Sequence, residues 1–567
     1  MAPHTRRQTK RKRDAATKDW RWLLWDSDIA RDKIHPEIGA AWTAVLKEAC
    51  CVRKDVDKDK VNRLRKDGDQ HRPLRLWPGM RDDDSKWRDF EGVVVTVPLL
   101  EWCVMQNYKP SASTFEAAAR GGDWDAIRWL REHNCPWHRN ERSKGMFGIL
   151  ERANACDGAA EGGHLDLLRW LHDEGCPWVV EEDNLVKKPP TSRTCFRAAW
   201  YGHMHVLKYL HDNGCPWDEG ACEGAAKRGD LDMLKYLHNN RCPWDARTCW
   251  RAAKGGYLDV LKYAREKGCK WSGWLPSGIN ETRIYIDACS GAAAGGHLDV
   301  LKYAHESGCP WDWRTCYEAA MGGHLGVLKY LHENGCPWNE KTCAGAAFGG
   351  HLNVLMYAHE NGCPWDGTTC AEAAKGGHLD VLIYAYKKGC PWEFMDEDYD
   401  VDSDGEAELV NACQFAAEGG HLDVLKYLHE NGCPWDKWTC ENAAKGGHLH
   451  VLKYLHKSGC PWDKGACAAA AAEGHLNVIE WLRTIGCAWD IRTCYRAAFG
   501  GFLDVVKYLH ENGCPWDEST CFAATSRGSL DVLKYLRENG CPWNKKECLH
   551  RAFPHRKVIV WIVDQPE

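Results

Sequence analysis

Cysteine and histidine, side chains that hold metals or act as nucleophile and base, recur at fixed intervals in this chain. The 567 residues include 31 Cys and 27 His. Cys433, Cys460 and Cys487 are each 27 residues apart, and Cys440 follows Cys433 by seven residues. Structural zinc sites favour cysteines about two to four residues apart, because the ligands must converge on one tetrahedron. The spacing therefore argues against a zinc site in each unit.

Substitutions within the array also argue against metal binding. Tyr108 and Phe115 stand where other units have their two cysteines, and Phe502 stands where other units have a histidine after glycine. A metal ligand would not be replaced by phenylalanine. Free cysteine usually behaves as a small buried apolar residue. We therefore expect core cysteines, no metal ligand and no cofactor; zinc or disulfides are the alternative, which elemental analysis can test.

One acidic segment has the residue types of a calcium loop. Asp400, Asp402, Asp404 and Gly405 match the opening of an EF-hand loop, but Asn411 stands where the bidentate glutamate should be. The helix pair that flanks such a loop is not indicated by the pattern either. A solvated acidic loop is the prediction, and calcium held by the three aspartates is the alternative.

The sequence has no pattern that supports catalysis. We find no glycine-rich phosphate loop, nucleophile elbow, paired zinc-binding histidines or kinase motifs in a fitting context. Catalysis needs one asymmetric group of residues, whereas nearly every polar residue here recurs from unit to unit. We predict a protein that is not an enzyme and has no catalytic residue.

The repeating unit predicts two short helices. In the first helix, Cys440, Ala443 and Ala444 place small side chains on one side, and Gly447 ends the helix. In the second helix, leucines recur at helical spacing, as in the segment from Leu422 to Leu428. Because neither helix can bury its apolar side alone, neighbouring units must stack into one core.

A tryptophan follows the proline of each linker. In Cys433-Pro434-Trp435 the proline cannot continue the preceding helix, so the chain turns. A large aromatic side chain here would bury much area against the next unit. We favour this packing role for Trp435 and its counterparts; a stacking platform for bases or for a proline-rich partner is the alternative.

The units resemble ankyrin repeats. The segment Gly-His-Leu-Asp-Val-Leu-Lys-Tyr-Leu with an upstream Thr-x-x-x-Ala-Ala carries the resemblance, although the unit has 27 residues rather than 33 and lacks the Thr-Pro-Leu-His turn. The Cys-Pro-Trp form is similar to repeats abundant in large DNA viruses and in algal and oomycete genomes. The predicted fold is an all-α repeat solenoid of about 15 units. It covers residues 88–567 and ends in a C-terminal cap. The resemblance implies partner binding without catalysis.

The N-terminal residues do not follow the repeat. Residues 14–87 match no fold that we can assign, and residues 1–13 form a basic tail whose dense run is Arg6, Arg7, Lys10, Arg11, Lys12 and Arg13. Three interpretations of this run stay open: a nuclear-localisation signal, a nucleic-acid patch and a merely solvated, disordered tail.

Four insertions interrupt the period, near residues 139–152, 179–191, 272–285 and 393–409. All of them lie between a linker tryptophan and the next helix, so they project from one edge. Insertions in repeat proteins map to one face, often the binding face. We hypothesise that these loops and the neighbouring linker turns read the partner. Neutral insertions, which cost little loop-closure entropy, are the alternative.

Charge and hydropathy indicate the class of partner. The net charge is −6, and Asp259 and Asp423 stand three positions before Lys262 and Lys426, a spacing that favours ion pairs on one helix. Both observations lower the case for nucleic-acid binding through the basic tail and lysine rows, which is the alternative function. No segment has the roughly 18 apolar residues of a membrane span, nor a signal peptide. We expect a monomeric scaffold in the cytoplasm or nucleus that binds proteins.

Overall fold

The computed structural model describes residues 110–138, 154–178, 193–276, 283–395, 409–553 and 555–565, together with 95–97, 100, 101 and 104. From Ser111 onward these residues belong to one compact unit. Val95–Pro110 belongs to a separate unit, in which Leu100 is buried. The predicted start of the array at residue 88 lies outside the described residues.

Within these ranges the unit from Ser111 onward is a series of 15 helical hairpins. The first helix of each hairpin is termed the A helix and the second the B helix. The A helices are α1 (Ala112–Gly121), α3 (Ala155–Gly162), α5 (Arg193–Tyr201), α7 (Glu219–Arg228), α9 (Ala246–Lys254), α11 (Ala288–Gly295), α13 (Trp313–Met321), α15 (Glu340–Phe348), α17 (Gly367–Gly376), α19 (Ala412–Gly419), α21 (Lys437–Lys445), α23 (Lys464–Glu473), α25 (Ile491–Gly500), α27 (Glu518–Arg527) and α29 (Lys545–Arg551).

The B helices alternate with them along the chain. They are α2 (Trp124–Glu132), α4 (Leu165–Asp173), α6 (Met204–Asp212), α8 (Leu231–Asn239), α10 (Leu258–Glu266), α12 (Leu298–Glu306), α14 (Leu325–Glu333), α16 (Leu352–Glu360), α18 (Leu379–Lys387), α20 (Leu422–Glu430), α22 (Leu449–Lys457), α24 (Leu476–Thr484), α26 (Leu503–Glu511), α28 (Leu530–Glu538) and α30 (Arg556–Asp564). None of these helices has the length and apolar character needed to cross a membrane. The architecture confirms the predicted all-α repeat solenoid.

Polar caps and glycines define the ends of the A helices. At the start of α21, the Thr439 backbone N–H donates to Asp436 Oδ1 at 3.0 Å, and the Asp436 N–H donates to Thr439 Oγ1 at 3.2 Å. This capping box satisfies two amide groups that the first turn leaves without helical partners. Beyond the other end, Gly447 has a φ of 75°, a left-handed conformation that glycine adopts without steric cost.

Small buried side chains allow neighbouring A helices to pack closely. Cys440, Ala443 and Ala444 are completely buried, and α21 packs against α19 on one side and α23 on the other. The B helix α22 buries Val451, Leu452 and Leu455 beneath them. The core is therefore a continuous layer between the two rows of helices.

The linker turn ties each unit to the next. The Cys433 backbone N–H donates to the Leu428 carbonyl at 3.0 Å and closes the turn after α20. Trp435 stacks on His429 of its own unit, with ring centroids 3.4 Å apart, and meets Tyr454 of the next unit edge-on at 6.3 Å. Aromatic pairs prefer these two geometries. The linker tryptophan thus lies between units, an arrangement that favours the packing interpretation.

The histidine that follows each glycine pair connects the units through the backbone. His448 Nε2 lies 2.9 Å from the Glu418 carbonyl oxygen, and His475 Nε2 lies 2.9 Å from that of Lys445. Because a carbonyl oxygen can only accept, Nε2 carries the proton in both rings. The His475 ring also covers Gly447, where an added Cβ would lie 2.6 Å from it. The histidine is an inter-unit donor, a role that the repeat pattern alone does not reveal.

The lysines of the B helices contact the next unit. The predicted ion pair between Lys262 and Asp259 does not form between these two described residues; Lys262 Nζ lies over the Tyr303 ring, 5.3 Å from its centroid. Lys426, whose predicted partner also stands three residues earlier, lies 5.4 Å from the Tyr454 centroid. A cation over an aromatic face contributes about 0.5–1 kcal/mol at exposed sites. The lysine row therefore contributes to stacking.

Two insertions begin and end as short antiparallel hairpins. Their strands are β1 (Ser272–Pro276) paired with β2 (Arg283–Asp287), and β3 (Glu393–Met395) paired with β4 (Leu409–Asn411). A bridge between His138 and Asn154 closes the base of the first insertion in the same manner. Strands β1 and β2 pack on α9, and β3 packs on α17, each the A helix of the preceding unit. The described bases of these insertions therefore lie beside the A helices.

Replacing Gly447 with alanine should destabilise the array more than replacing Gly459. Both glycines have positive φ, 75° and 78°, so alanine costs about 1–2 kcal/mol at either position. At Gly447 the new Cβ also meets the His475 ring, whereas at Gly459 nothing lies within 4 Å. We expect a further loss of about 1–3 kcal/mol for Gly447→Ala, measured by urea unfolding and by hydrogen exchange of α21 and α23. Equal losses would show that the ring moves aside at no cost.

The stability contributed by His448 should depend on pH. Burial lowers the pKa of His448, so the unfolded chain binds this proton more readily than the folded array does. The contribution is complete above the unfolded pKa of about 6.5 and falls as the pH drops through that value towards the lowered folded pKa. His448→Phe, which copies Phe502 of a later unit, removes the titration and the hydrogen bond to Glu418.

We expect His448→Phe to lower the free energy of unfolding by about 1–3 kcal/mol at neutral pH. The difference in the free energy of unfolding between the variant and the parent chain should become smaller near pH 5.5, because only the parent chain loses stability as the His448 side chain takes up a proton. Urea unfolding of both chains at matched pH values measures this difference, and a difference that stays constant would contradict the lowered pKa.

Candidate interaction surface

The A helices expose one side that the core does not use. In α13, Cys316 and the residues three and four positions later, Ala319 and Ala320, are buried. Residues one, two and five positions after the cysteine lie on the opposite side, since each residue turns the helix by roughly 100°. The surface formed by these three positions in successive A helices is termed the A face.

The A face varies from unit to unit, whereas the core does not. At the fifth position after the helix cysteine the chain has Trp200, Lys227, Lys254, Ala294, Met321, Phe348, Lys375, Glu418, Lys445, Ala472, Phe499, Ser526 and Phe553. At the two buried positions before it, nearly all of the same units have alanine. Stacking therefore determines the core residues and leaves the A face free for another role.

Two adjacent units form an apolar centre on the A face. Met321 and Phe348 are 38 % and 41 % exposed and end the neighbouring helices α13 and α15. Tyr317 lies against Gly345 of α15, where an added Cβ would come within 2.9 Å of the tyrosine ring. Glycine at this point lets the ring lie flat on the next helix. The three side chains form an apolar surface that the fold does not cover.

An arginine-rich cleft lies on the A face of earlier units. It has a volume of about 310 Å³, and its lining includes Phe196, Trp200, Glu223, Arg247 and Arg251. Arg251 Nε donates to Glu223 Oε1 at 2.9 Å, and Arg247 pairs with the same carboxylate at 3.5 Å. The Arg251 guanidinium lies 5.0 Å from the centroid of the Trp200 ring. Aromatic and guanidinium groups of this kind are enriched in protein interfaces.

Buried carboxylates join the first three A helices, α1, α3 and α5. The Thr194 hydroxyl donates to Asp157 Oδ1 at 2.6 Å, and Arg197 pairs with Glu161 at 3.0 Å. Burial raises the pKa of Asp157 and raises the pKa of Glu116 to about 7. A carboxyl group with such a pKa could transfer protons, but these groups bond neighbouring helices, so we assign them a structural role.

A charged group occupies the A face of the later units. Glu418 pairs with Lys375 at 3.2 Å and with Lys445 at 3.0 Å, across three consecutive units. Burial opposes ionisation, but the two lysines lower the pKa of Glu418 below its usual value. Along the chain the A face therefore presents an arginine cleft, an apolar centre and a row of paired charges.

The cysteines of the described residues are buried and form no disulfide bond within that part of the chain. Thiols twenty residues apart lie close together, as for Cys467 and Cys487, whose Sγ atoms are 3.3 Å apart. The hydrogen bond with Cys440 and burial raise the pKa of Cys460. The Cys460 thiol therefore stays protonated at neutral pH, as a small buried side chain of the core.

Several predicted residues lie outside the described part of the chain. These are the basic run Arg6, Arg7, Lys10, Arg11, Lys12 and Arg13, residues 14–87, the calcium candidates Asp400, Asp402 and Asp404, the first two insertions, residues 277–282 of the third and most of the fourth. Among the described ones, Cys433, Cys440, Ala443 and Ala444 lie in the core, and Pro434 and Trp435 form the linker. None of these residues belongs to the A face, and the sequence prediction did not identify that face. The feature that could have indicated it is the variation of its residues within otherwise uniform repeats.

A comparison with protein families agrees with this architecture. Residues 413–456, which form α19 to α22, match the family model of ankyrin repeats. The solved structures that are similar include the crystal structure of the human ASB11 ankyrin repeat domain, at 20 % identity, with a TM-score of 0.25, covering 30 % of this chain and 84 % of that chain. No curated protein matches the chain. The matched segment therefore contains ankyrin repeats, and its hairpin unit recurs along the described array.

Proposed function

We propose that this chain is a non-enzymatic scaffold that binds a protein partner through the A face and the hairpins beside it. Ankyrin repeats generally mediate protein–protein interactions and are typically not enzymes. The observation that carries the proposal is the exposed apolar centre at Met321 and Phe348, on a face whose residues stacking does not determine. We further propose that the scaffold acts as a monomer in the cytoplasm or nucleus.

The apolar centre supports partner binding because its exposure has no structural explanation. Met321 and Phe348 occupy a position that is lysine or glutamate in several other units, so the fold tolerates polar residues there. Exposed apolar surface with polar surroundings is typical of interaction sites. Interfaces gain most of their free energy from a few such side chains near the centre of the contact.

The charged groups on either side of the centre would supply specificity. Arg247 and Arg251 share Glu223 in the earlier units, while Glu418 lies between two lysines in the later ones. Complementary charges at the rim of an interface select the partner and orient it more than they increase affinity. The favoured partner therefore buries an apolar segment at the centre and carries both acidic and basic groups around it.

The insertions extend the same surface. The described bases of two of them pack on α9 and α17, which are A helices. A hairpin at this place continues the A face beyond the helices and can contact a partner that lies on it. The hypothesis that the insertions read the partner therefore becomes part of the proposal, with the A face as the larger contribution.

Nucleic-acid binding has weaker support. The lysines of the B helices lie over tyrosine rings, as Lys262 does over Tyr303, and the basic residues of the A face share carboxylates. Phosphate binding would require those contacts to be exchanged. A nucleic-acid complex would also lose affinity steeply as salt increases, which a protein interface with an apolar centre would not.

Substituting the apolar centre should remove the partner while leaving the array folded. We expect Met321→Ser with Phe348→Ser to weaken binding by about tenfold or more, since each truncated anchor costs over about 1 kcal/mol. Met356→Ser is the matched control, because Met356 is also 36 % exposed but lies on the B helix α16. The full chain and both variants are immobilised and incubated with nuclease-treated lysate, and retained proteins are quantified by mass spectrometry.

Partners that bind the parent chain and the Met356→Ser control at high salt, but not the double variant, would support the A face. Deleting the residues between β1 and β2 tests separately whether the third insertion contributes to partner binding. Equal retention by all three chains, or recovery of nucleic acid alone when nuclease is omitted, would contradict the proposed function.

A further inference from the structure

The unit that follows the third insertion places a carboxylate beside two thiols. Asp287 ends β2, Cys289 lies on α11, and Cys309 lies in the turn after α12. Their ligand atoms are all within 4.8 Å of one another, and no other such group of three occurs in the described part of the chain. Asp287, Cys289 and Cys309 are only 1 %, 0 % and 4 % exposed.

The insertion creates this arrangement by moving the helix cap. In an ordinary unit the capping aspartate stands four residues before the helix cysteine, as Asp245 does before Cys249, and its carboxylate binds the N–H and side chain of Arg247. After the insertion, β2 runs to Asp287, two residues before Cys289, and this residue caps α11. The carboxylate therefore lies beside the thiols instead of at the edge of the array.

The linker thiol is also bonded differently in this unit. In the preceding unit, Cys269 Sγ donates to the carbonyl of the capping residue Asp245 at 3.2 Å. Cys309 Sγ instead approaches the carbonyl of the adjacent Pro310 at 3.5 Å. In the sister unit after the fourth insertion, Cys433 Sγ likewise approaches the Pro434 carbonyl, at 3.8 Å. The sulfur thus loses its usual acceptor in both units, and among the described units only this one has a carboxylate beside the two thiols.

No basic residue balances this carboxylate. Among the described side chains no lysine, arginine or histidine forms an ion pair with Asp287, and the charged group that acts on it is the like-charged Asp312. Asp157, another fully buried carboxylate, has Arg193 and Arg197 as neighbours. An unpaired buried charge costs several kcal/mol, and a cation coordinated by the carboxylate would place an opposite charge directly beside it.

Capping does not require the aspartate. Two of the other three units that follow an insertion have Asn154 and Asn411 at the equivalent position, and each caps its helix through its side-chain oxygen. In the first of them Cys176 donates to Asn154 Oδ1 at 3.4 Å. A neutral amide therefore serves both the helix and the thiol, so the charge of Asp287 needs another explanation.

We propose that Asp287, Cys289 and Cys309 bind a thiophilic divalent cation such as Zn²⁺. Zinc–sulfur bonds of about 2.3 Å and zinc–oxygen bonds of about 2.1 Å require ligand atoms roughly 3.5 Å apart, which small side-chain movements achieve here. The two thiols release their protons on binding, and the carboxylate completes three ligands. Water or a partner's side chain would take the fourth position, and the bound ion would hold the base of the insertion against α11.

A cavity lies beside residues that neighbour the ligands in the chain. It has a volume of about 230 Å³ and is lined by Tyr285, Pro310, Trp311, Asp312 and Arg314. Tyr285 is two residues before Asp287, and Pro310 directly follows Cys309, so solvent reaches the chain segments that carry the ligands.

Cobalt(II) titration of the full chain tests the site. The protein is reduced, freed of metal with a chelator and titrated with Co²⁺, and thiolate-to-cobalt charge-transfer absorption is recorded. We expect saturation at one equivalent with tetrahedral d–d bands, and Zn²⁺ should displace the cobalt. Asp287→Asn keeps the helix cap and should lower the apparent affinity by more than about tenfold, since even an outer-shell partner contributes that much.

Variants in the sister unit provide matched comparisons. Asn411→Asp places a carboxylate beside Cys413 and Cys433, so a second equivalent of cobalt would support the assignment of the carboxylate as a ligand. Cys433→Ala removes a thiol outside the site and should leave the single equivalent unchanged, whereas Cys309→Ala should abolish the charge-transfer band. Circular dichroism confirms that each variant folds.

Absence of a thiolate–cobalt band in the reduced parent chain would overturn the proposal. An affinity unchanged by Asp287→Asn would do the same, because the carboxylate would then not be a ligand. A stoichiometry near the number of cysteine pairs would assign binding to paired thiols throughout the array instead of to this site.

Discussion

The structure depends on how closely each A helix approaches the next. Cys440, Ala443 and Ala444 are fully buried between neighbouring A helices, and their small volume sets the spacing of the units. The bond from His448 to the Glu418 carbonyl and the edge-on contact of Trp435 with Tyr454 both span this spacing. A larger core side chain would separate the units and weaken all of these contacts together, because closely packed interiors cannot absorb added volume without strain.

Because the units must stack closely, the B side and the A face of the array are under different constraints. On the B side, lysine over tyrosine and tryptophan edge-on to tyrosine join consecutive units, so the same residues must recur. The A face takes part in few of these contacts, and its residues range from Lys227 to Phe348 at one position. The same stacking that makes most of the chain repetitive thus leaves one face free to differ, which is where recognition of a particular partner can be encoded.

Most of the fold follows from local sequence rules. Helical spacing of leucines, small residues before a glycine pair and proline after the second helix predict the hairpin unit, and its period predicts the solenoid. One expectation was wrong: local spacing predicts an ion pair between Lys262 and Asp259, but the Lys262 side chain contacts Tyr303 of the next unit. The role of His448 was missed for the same reason: its acceptor is 30 residues away in the chain. Contacts between units depend on how the units pack, and spacing within a unit does not contain that information.

The A face and the insertions needed the structure for a further reason. The insertions are visible as breaks in the period, but the period does not show how they rejoin the array. Asn154, Asp287 and Asn411 each end the insertion and cap the following A helix. In each of these three cases one residue is therefore both the last residue of the inserted segment and the cap of the next helix. The base of the insertion is thus connected directly to the core. For this reason an insertion can add an element with a defined position to the A face. Aspartate instead of asparagine as the capping residue can also place a charge in the interior of the array and not at its edge.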